Sequence, residues 1–298
     1  MTENSIASRY QETCDRIAAA CKKAGRSCDD VTLMVVTKFH PLSDVLELVR
    51  LGVRNFGENR EQEARQKIHD LHHRDAEENI LSGIPAEWSM IGQLQRNKCN
   101  SVARWASSVH SVDSARLVTG LSRGMQRALD EGERVEETLG VFLQVSLDGD
   151  TARGGAKEEE IFSLADYVDD ADHLLLRGLM AVPPLHSDAD WAFSQLYNLS
   201  QKLQVDHPHA AEISAGMSGD MEKAIAHGST CVRIGTAILG PRPTHSVWLR
   251  QRSNLIMPRT MLSLRTLATN IMTAMVMVIL TRMTMTLLPT PVVRHYLH

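Results

Sequence analysis

The chain has 298 residues, 43% of them hydrophobic and 23% charged, with a formal net charge of −4. That balance excludes a disordered or fibrous protein and gives no reason to expect a nucleic-acid partner. The length exceeds a usual single core, but α/β barrels reach about 250 residues as one domain, so one large domain with an appendage is expected.

Residues 3–24 open the chain as a helix, with Ile6, Tyr10, Ile17 and Cys21 on one side. From residue 31 to residue 239, apolar β-rich runs alternate with helix-period segments, the pattern of parallel strands joined by crossover helices. The strand candidates are 31–37, 55–58, 88–92, 108–112, 140–147, 174–182, 212–217 and 231–238. Between them, 42–51 carries Leu42, Val45, Leu46 and Val49 on one face with Gly52 placed to end it, and 113–130 carries Leu117, Leu121 and Met125 at helical spacing. Segments 158–168, with Ile161, Leu164 and Ala165, and 219–227, before Gly228, are helices of the same kind. Eight strands close a TIM-type barrel, so the expected fold is a single (β/α)8 barrel with a leading N-terminal helix across its outside. A doubly wound open sheet is the alternative, and no G-x-G-x-x-G follows the first strand to favour it.

The five cysteines include no C-x-x-C pair and no secretory leader precedes them, which points to a reducing cytoplasm. Cys14, Cys21 and Cys28 recur every seven residues, but the first two lie on an apolar helix face and read as small buried hydrophobes. His69, His72 and His73 share a helical face without a ligand partner at metal spacing and read as solvated.

Residues 244–298 contain no Asp, Glu or Lys, six Arg and seven of the chain's fourteen Met. Removing six from the 32 basic residues leaves 26 against 36 acids, a balance of −10 for the first 243 residues and +6 for the tail. The shift places a domain boundary near Pro241 and Pro243. Residues 271–288 are apolar, but Arg282, Thr273, Thr281 and Thr284 interrupt them, and an arginine at mid-bilayer costs about 2.5–3.5 kcal/mol. A membrane span is therefore not expected. A basic amphipathic surface segment, a partner-binding helix and a non-native extension from an altered reading frame all stay open.

Working residues of such barrels project from the C-terminal ends of the strands. The first strand stops at Lys38, where desolvation would lower the ammonium pKa and free an amine for condensation with an aldehyde, although a solvated loop lysine has the same sequence. The second ends in Phe56-Gly57-Glu58-Asn59 and the third in Ile91-Gly92-Gln93-Leu94-Gln95, amide-rich turns that suit a close ligand or a helix cap. The seventh and eighth strand ends carry Ser214-Ala215-Gly216-Met217-Ser218 and Arg233-Ile234-Gly235-Thr236, hydroxyls and small residues where barrels bind phosphate. An aldehyde and a phosphate on one cofactor fit these parts; a phosphosugar in a Schiff-base aldolase fits the spacing equally.

Several motifs together carry a resemblance. They are Val-Val-Thr-Lys at 35–38, Phe-Gly-Glu-Asn at 56–59, Trp-Ser-Met-Ile-Gly-Gln-Leu-Gln-Arg-Asn-Lys at 88–98, Arg-Gly-Leu-Met-Ala-Val-Pro at 177–183, Gly-Met-Ser-Gly-Asp-Met at 216–221 and Gly-Ser-Thr-Cys-Val-Arg-Ile-Gly-Thr-Ala-Ile-Leu-Gly at 228–240. In this order, over roughly residues 5–242, the chain resembles the pyridoxal phosphate homeostasis proteins, a family similar in fold to the N-terminal barrel of alanine racemase. The resemblance implies pyridoxal 5′-phosphate as a Schiff base on Lys38, a phosphate held by Ser214, Gly235 and Thr236 with Ser218 replacing or joining Ser214, Arg233 against the pyridine nitrogen, and Asn59 and Met217 along the ring. Gly219 and Leu239 depart mildly from the family pattern, and residues 244–298 match none of it.

An arginine at the ring nitrogen keeps that nitrogen unprotonated and the electron sink weak, and the second domain that completes alanine racemase has no recognisable counterpart here. The expectation is a non-catalytic cofactor carrier or buffer, with apo pyridoxal phosphate enzymes as recipients, acting as a monomer. A racemase-like enzyme using the same linkage is the alternative.

Overall fold

The computed structural model describes residues 5–241. The basic tail expected over 244–298, and the boundary before it, lie outside the described residues. The chain begins with α1 (Ile6–Lys23), capped by Ser5, whose hydroxyl accepts from the Ser8 N–H, and ended by Lys22 and Lys23, whose charges suit the helix C-terminus. Eight strands follow: β1 (Thr32–Val36), β2 (Asn55–Glu58), β3 (Glu87–Met90), β4 (Ser108–Val112), β5 (Leu139–Gln144), β6 (Leu174–Met180), β7 (Glu212–Ser214) and β8 (Cys231–Ile234). All are parallel and each pairs with the next; β8 returns to β1 with Thr32 opposite Cys231 and Val35 opposite Ile234, closing the barrel.

The crossovers are α2 (Leu42–Arg50), α3 (Glu61–Glu78), α4 (Cys99–Val102), α5 (Ala115–Asp130), α6 (Glu158–Asp169), α7 (Ala189–Asp206) and α8 (Met221–Ala226), with a four-residue α9 (Thr236–Leu239) after β8. Their apolar stripes decide which face turns inward. On α5, Leu117, Val118, Leu121, Met125 and Ala128 are buried at i, i+4 spacing, and on α2 the buried set is Val45, Leu46, Leu48 and Val49. One apolar cluster lies under α4 to α7 and another under α1, α2, α3 and α8, with Trp105 packed against both. Fully burying a Leu or Met side chain contributes about 1.5–3 kcal/mol, so these stripes fix the helices on the sheet.

The barrel and its leading helix agree with the expectation from sequence. The strands are shorter at their C-terminal ends than their apolar runs. Residues 231–238 divide at Gly235 into β8 and α9, and residues 212–217 leave the sheet after Ser214. Ile238 and Leu239 are apolar because α9 buries them, so hydrophobicity alone does not separate strand from helix there. Cys21 is buried as expected, Cys14 is half-buried, and Cys28 is exposed. Among the described residues, no helix is long and apolar enough to cross a membrane.

Candidate functional site

Because the barrel is closed and parallel, its strand C-termini share one rim. Lys38 follows β1 and is half-buried; Asn59 follows β2 and is half-buried; Ser214 ends β7 and is fully buried. Met217, 38% exposed, donates its backbone N–H to Asp220 Oδ1 at 2.6 Å. Arg233 lies within β8, and Gly235 and Thr236 lead into α9. Since β1 and β8 are neighbours in register, Lys38 and the Gly235-Thr236 step occupy adjacent walls of the rim. The Gly235 backbone lies so close to β1 that a Cβ there would come within 3.1 Å of the Val36 carbonyl. The Ser218 hydroxyl accepts the Ala237 N–H at 3.3 Å, which ties the loop after β7 to α9.

Below the rim, a line of polar side chains crosses the barrel interior. Arg233, 5% exposed, donates from Nη1 to Ser214 Oγ at 2.7 Å and from Nη2 to the Ala181 carbonyl at 3.0 Å. Ser214 Oγ is also 2.8 Å from His110 Nδ1, His110 Nε2 is 2.8 Å from Ser108 Oγ, and Ser108 Oγ is 2.8 Å from Ser89 Oγ. The His110 ring stacks on Phe142 at a centroid distance of 4.1 Å. Burial above all, with Arg233 and Arg177 adding repulsion, holds the His110 pKa well below its ordinary 6.5, so the ring is neutral at pH 7. An arginine only donates, so Ser214 accepts from Arg233 while its oxygen also meets His110 Nδ1. Burial also draws the Arg233 pKa down from its ordinary value, with Cys231 and Asp220 opposing that shift.

Outside the wall, between β1, β2 and α3, sits a second network. Lys67 Nζ donates to Glu58 Oε1 at 2.7 Å, to Glu63 Oε1 at 2.8 Å and to the Thr37 carbonyl at 2.6 Å. Thr37 Oγ1 donates to the same Glu58 oxygen at 2.6 Å, and Glu63 Oε1 accepts the Phe39 N–H at 2.5 Å. Burial raises the Glu58 pKa, with Lys67 pulling the other way, and Glu58 Oε2 is buried with no hydrogen-bond partner among the described residues. Residues 37–40 form a tight turn in which the His40 N–H reaches the Thr37 carbonyl at 3.0 Å and Phe39 takes a φ of 66°. A left-handed conformation costs a non-glycine residue about 1–2 kcal/mol. The Arg60 guanidinium, 4.8 Å from the centre of the Phe39 ring, helps to hold it.

The sequence reading placed Lys38, Asn59, Ser214, Met217, Ser218, Arg233, Gly235 and Thr236 at strand ends, and the fold brings those ends to one rim. It did not single out His110, Glu63 or Lys67. Glu58 stood within a quoted motif, yet its acid on a strand end was read as turn chemistry; Glu63 and Lys67, an i, i+4 pair beside it, were the available signal. Asn59 Oδ1 is buried with no hydrogen-bond partner among the described residues, and Gly92, after β3, leaves room for the Asn59 backbone that a Cβ would overlap.

Fold and rim together define the alanine racemase N-terminal class of barrel: residues 13–243 match the family model described as alanine racemase, N-terminal domain. Within that class the chain belongs to the pyridoxal phosphate homeostasis protein family. It is 47% identical over 234 residues to the pyridoxal phosphate homeostasis protein of Mycobacterium tuberculosis (strain ATCC 25618 / H37Rv), covering 78% of this chain and 90% of the relative. It is 37% identical over 242 residues to the protein of that name from Escherichia coli (strain K12), covering 80% and 97%. Among solved structures, PipY of Synechococcus elongatus PCC7942, determined with PLP bound, is 30% identical with a TM-score of 0.61, covering 76% of this chain and 99% of PipY.

Proposed function

We propose that this chain binds pyridoxal 5′-phosphate on Lys38 and acts in its homeostasis as a carrier or buffer, with residues 1–243 as the binding barrel and apo pyridoxal phosphate enzymes as recipients. The observation that carries the reading is Arg233: a buried cation on the strand that leads into Gly235 and Thr236, held by neutral oxygens and next to the strand that ends at Lys38. The residues present fit the cofactor. Lys38 is the amine at the rim, Gly235 lets the chain entering α9 run close against β1 beside it, and the unpartnered Asn59 Oδ1 is a buried acceptor.

Bound pyridoxal phosphate supplies an aldehyde for a lysine and a ring nitrogen that accepts electrons when protonated. Thr37 turns to Glu58, and Lys38 stands next to it in the turn that follows β1 at the C-terminal rim of the barrel. Ser218, Gly235 and Thr236 would hold the phosphate and Met217 would cover the ring. Ser214, whose oxygen Arg233 and His110 already engage, acts chiefly by aiming the guanidinium. Arg233 only donates, so against the ring nitrogen it would leave that nitrogen unprotonated and the electron sink weak, which favours a carrier over a racemase-like enzyme. The protein works as a monomer in the reducing cytoplasm, where its five free thiols persist.

Lys38→Ala is the test. Borohydride reduction followed by peptide mass spectrometry is expected to place the cofactor on the peptide holding Lys38 and to find none in the variant; attachment at Lys67 or Lys98 would sink the assignment. Incubation with L-alanine, L-serine and L-glutamate is expected to give no multiple turnovers, since general acid–base help worth about 10²–10⁴-fold has no arrangement to use the ring. Turnover lost in Lys38→Ala would replace the carrier reading with an enzyme.

A further inference from the structure

The two peptide groups that flank Lys38 are both held by one turn of α3. The carbonyl on its N-terminal side, that of Thr37, accepts from Lys67 Nζ at 2.6 Å, and the N–H on its C-terminal side, that of Phe39, donates to Glu63 Oε1 at 2.5 Å. Glu63 and Lys67 are four residues apart on the same helix face and bond to each other at 2.8 Å, so the two grips form a single rigid unit. Glu58 completes it by taking both Lys67 and the Thr37 hydroxyl on one oxygen. Two of its three members are buried, Lys67 at 5% and Glu58 at 0% exposed, and Glu63 is half-buried. It also explains how Phe39 keeps its left-handed backbone without being glycine, because releasing that turn would break the bond to Glu63.

We propose that Glu63 and Lys67 are positioning residues for Lys38: they clamp its backbone from behind the barrel wall, so that the amine is presented to the mouth from one fixed turn. The proposal rests on the reading of Lys38 as the cofactor lysine. Neither residue touches the cofactor in this arrangement; both act through the peptide groups of residues 37 and 39. A turn of this kind converts helix packing into amine orientation, and misplacement of a reacting group by about 1 Å can cost on the order of a hundredfold in rate.

The test compares Glu63→Leu, which removes the acceptor, with Glu63→Gln, which keeps an oxygen for the Phe39 N–H, in the full-length protein. Two quantities are read: amide hydrogen exchange at Phe39 without cofactor, and the rate of covalent attachment after adding pyridoxal phosphate, with thermal unfolding as the control for folding. Glu63→Leu is expected to speed Phe39 exchange roughly tenfold or more and to slow attachment at Lys38 on the order of tenfold to a hundredfold. Glu63→Gln is expected to stay close to wild type in both. Because removing Lys67 alone strands a buried carboxylate, the Thr37 side is tested with Glu58→Gln/Lys67→Met, which removes both charges and is expected to slow attachment in the same way.

Wild-type attachment rates in Glu63→Leu, with Phe39 exchange raised, would overturn the positioning role. Unchanged exchange would overturn the clamp itself. Equal slowing in Glu63→Gln and Glu63→Leu would also refute it, because the lost charge rather than the lost acceptor would then be responsible. Absence of attachment at Lys38 in the wild-type protein would refute the cofactor reading instead, and the exchange measurement would still report on the clamp.

Discussion

Inside the barrel, Arg233, Ser214, His110, Ser108 and Ser89 form a line in which only the arginine carries charge, whereas outside the wall Lys67 sits between two carboxylates, Glu58 and Glu63. Both networks are buried, and they spend their hydrogen bonds differently. Among the described residues Arg233 has no salt bridge; its partners are a hydroxyl and a carbonyl, which take two of its N–H donors without cancelling its field. Lys67 is neutralised where it stands, and its remaining donor goes to the backbone. The inner network thus keeps a positive potential for a ligand, while the outer one converts charge into fixed geometry. That division matches the proposed roles: an inner group that meets the cofactor and an outer group that only holds the chain which does.

The largest expected effect breaks the outer network. Lys67→Ala leaves Glu58 and Glu63 facing each other in a buried place, and removing one partner of a buried pair costs about 3–5 kcal/mol. Urea unfolding at pH 8, where both acids are ionised when unfolded, is the measurement; a loss under about 1 kcal/mol would mean that the ion cluster does not carry the charge balance described. Ser214→Ala strikes the inner network more lightly. It removes the oxygen shared by Arg233 and His110 and is expected to cost about 1–3 kcal/mol, with weaker cofactor binding and an unchanged attachment residue. Binding indistinguishable from wild type would show that Arg233 is aimed without Ser214.

Acid separates the two networks by sign. His110 has a folded pKa well below its unfolded 6.5, so below pH 6.5 the unfolded chain takes up a proton that the native barrel refuses. Its stabilising contribution is therefore complete above pH 6.5 and declines as the pH falls toward the depressed native value, with a slope of at most about 1.4 kcal/mol per pH unit. Glu58 runs the other way. Its folded pKa is raised above 4.5, so the native state binds that proton more tightly and the penalty of ionising a buried carboxyl fades as the pH falls through the raised value. Stability measured from pH 7.5 to 5.5 is expected to fall more steeply in wild type than in His110→Gln. Parallel curves would mean that His110 is not held neutral.

The barrel was legible because its cause is local: each strand is an apolar run, each helix an apolar stripe, and the closing number is a count. Lys38 stands where its apolar run stops; Gly235 and Thr236 lie inside a run read as strand through residue 238, and the break at Gly235 shows only in the fold. His110 was not legible, because a histidine in an alternating strand reads the same whether it faces solvent or a serine on another strand, and its partner Ser214 is 104 residues away. Lys67 was hidden more deeply. On α3, rich in charged residues, nothing marks it from its neighbours until the helix is laid against β1 and β2, where its ammonium reaches Thr37 and Glu58. Ser214 was placed at the phosphate by resemblance; only tertiary contacts reveal that its oxygen is shared by Arg233 and His110.

The smallest expected effect concerns residues 244–298, which lie outside the described residues. Every residue of the two networks lies between Thr37 and Arg233, and β8 has already paired with β1 by Ile234. The change of composition after Pro243, from a balance of −10 to one of +6, supports a boundary there. A chain ended after Pro243 is therefore expected to unfold in urea within about 0.5 kcal/mol of the full-length protein. It is also expected to attach pyridoxal phosphate to Lys38 at the same rate. A truncated protein that is insoluble, or that attaches the cofactor more slowly while folding normally, would make the tail a third support for the Lys38 turn and move the boundary beyond residue 243.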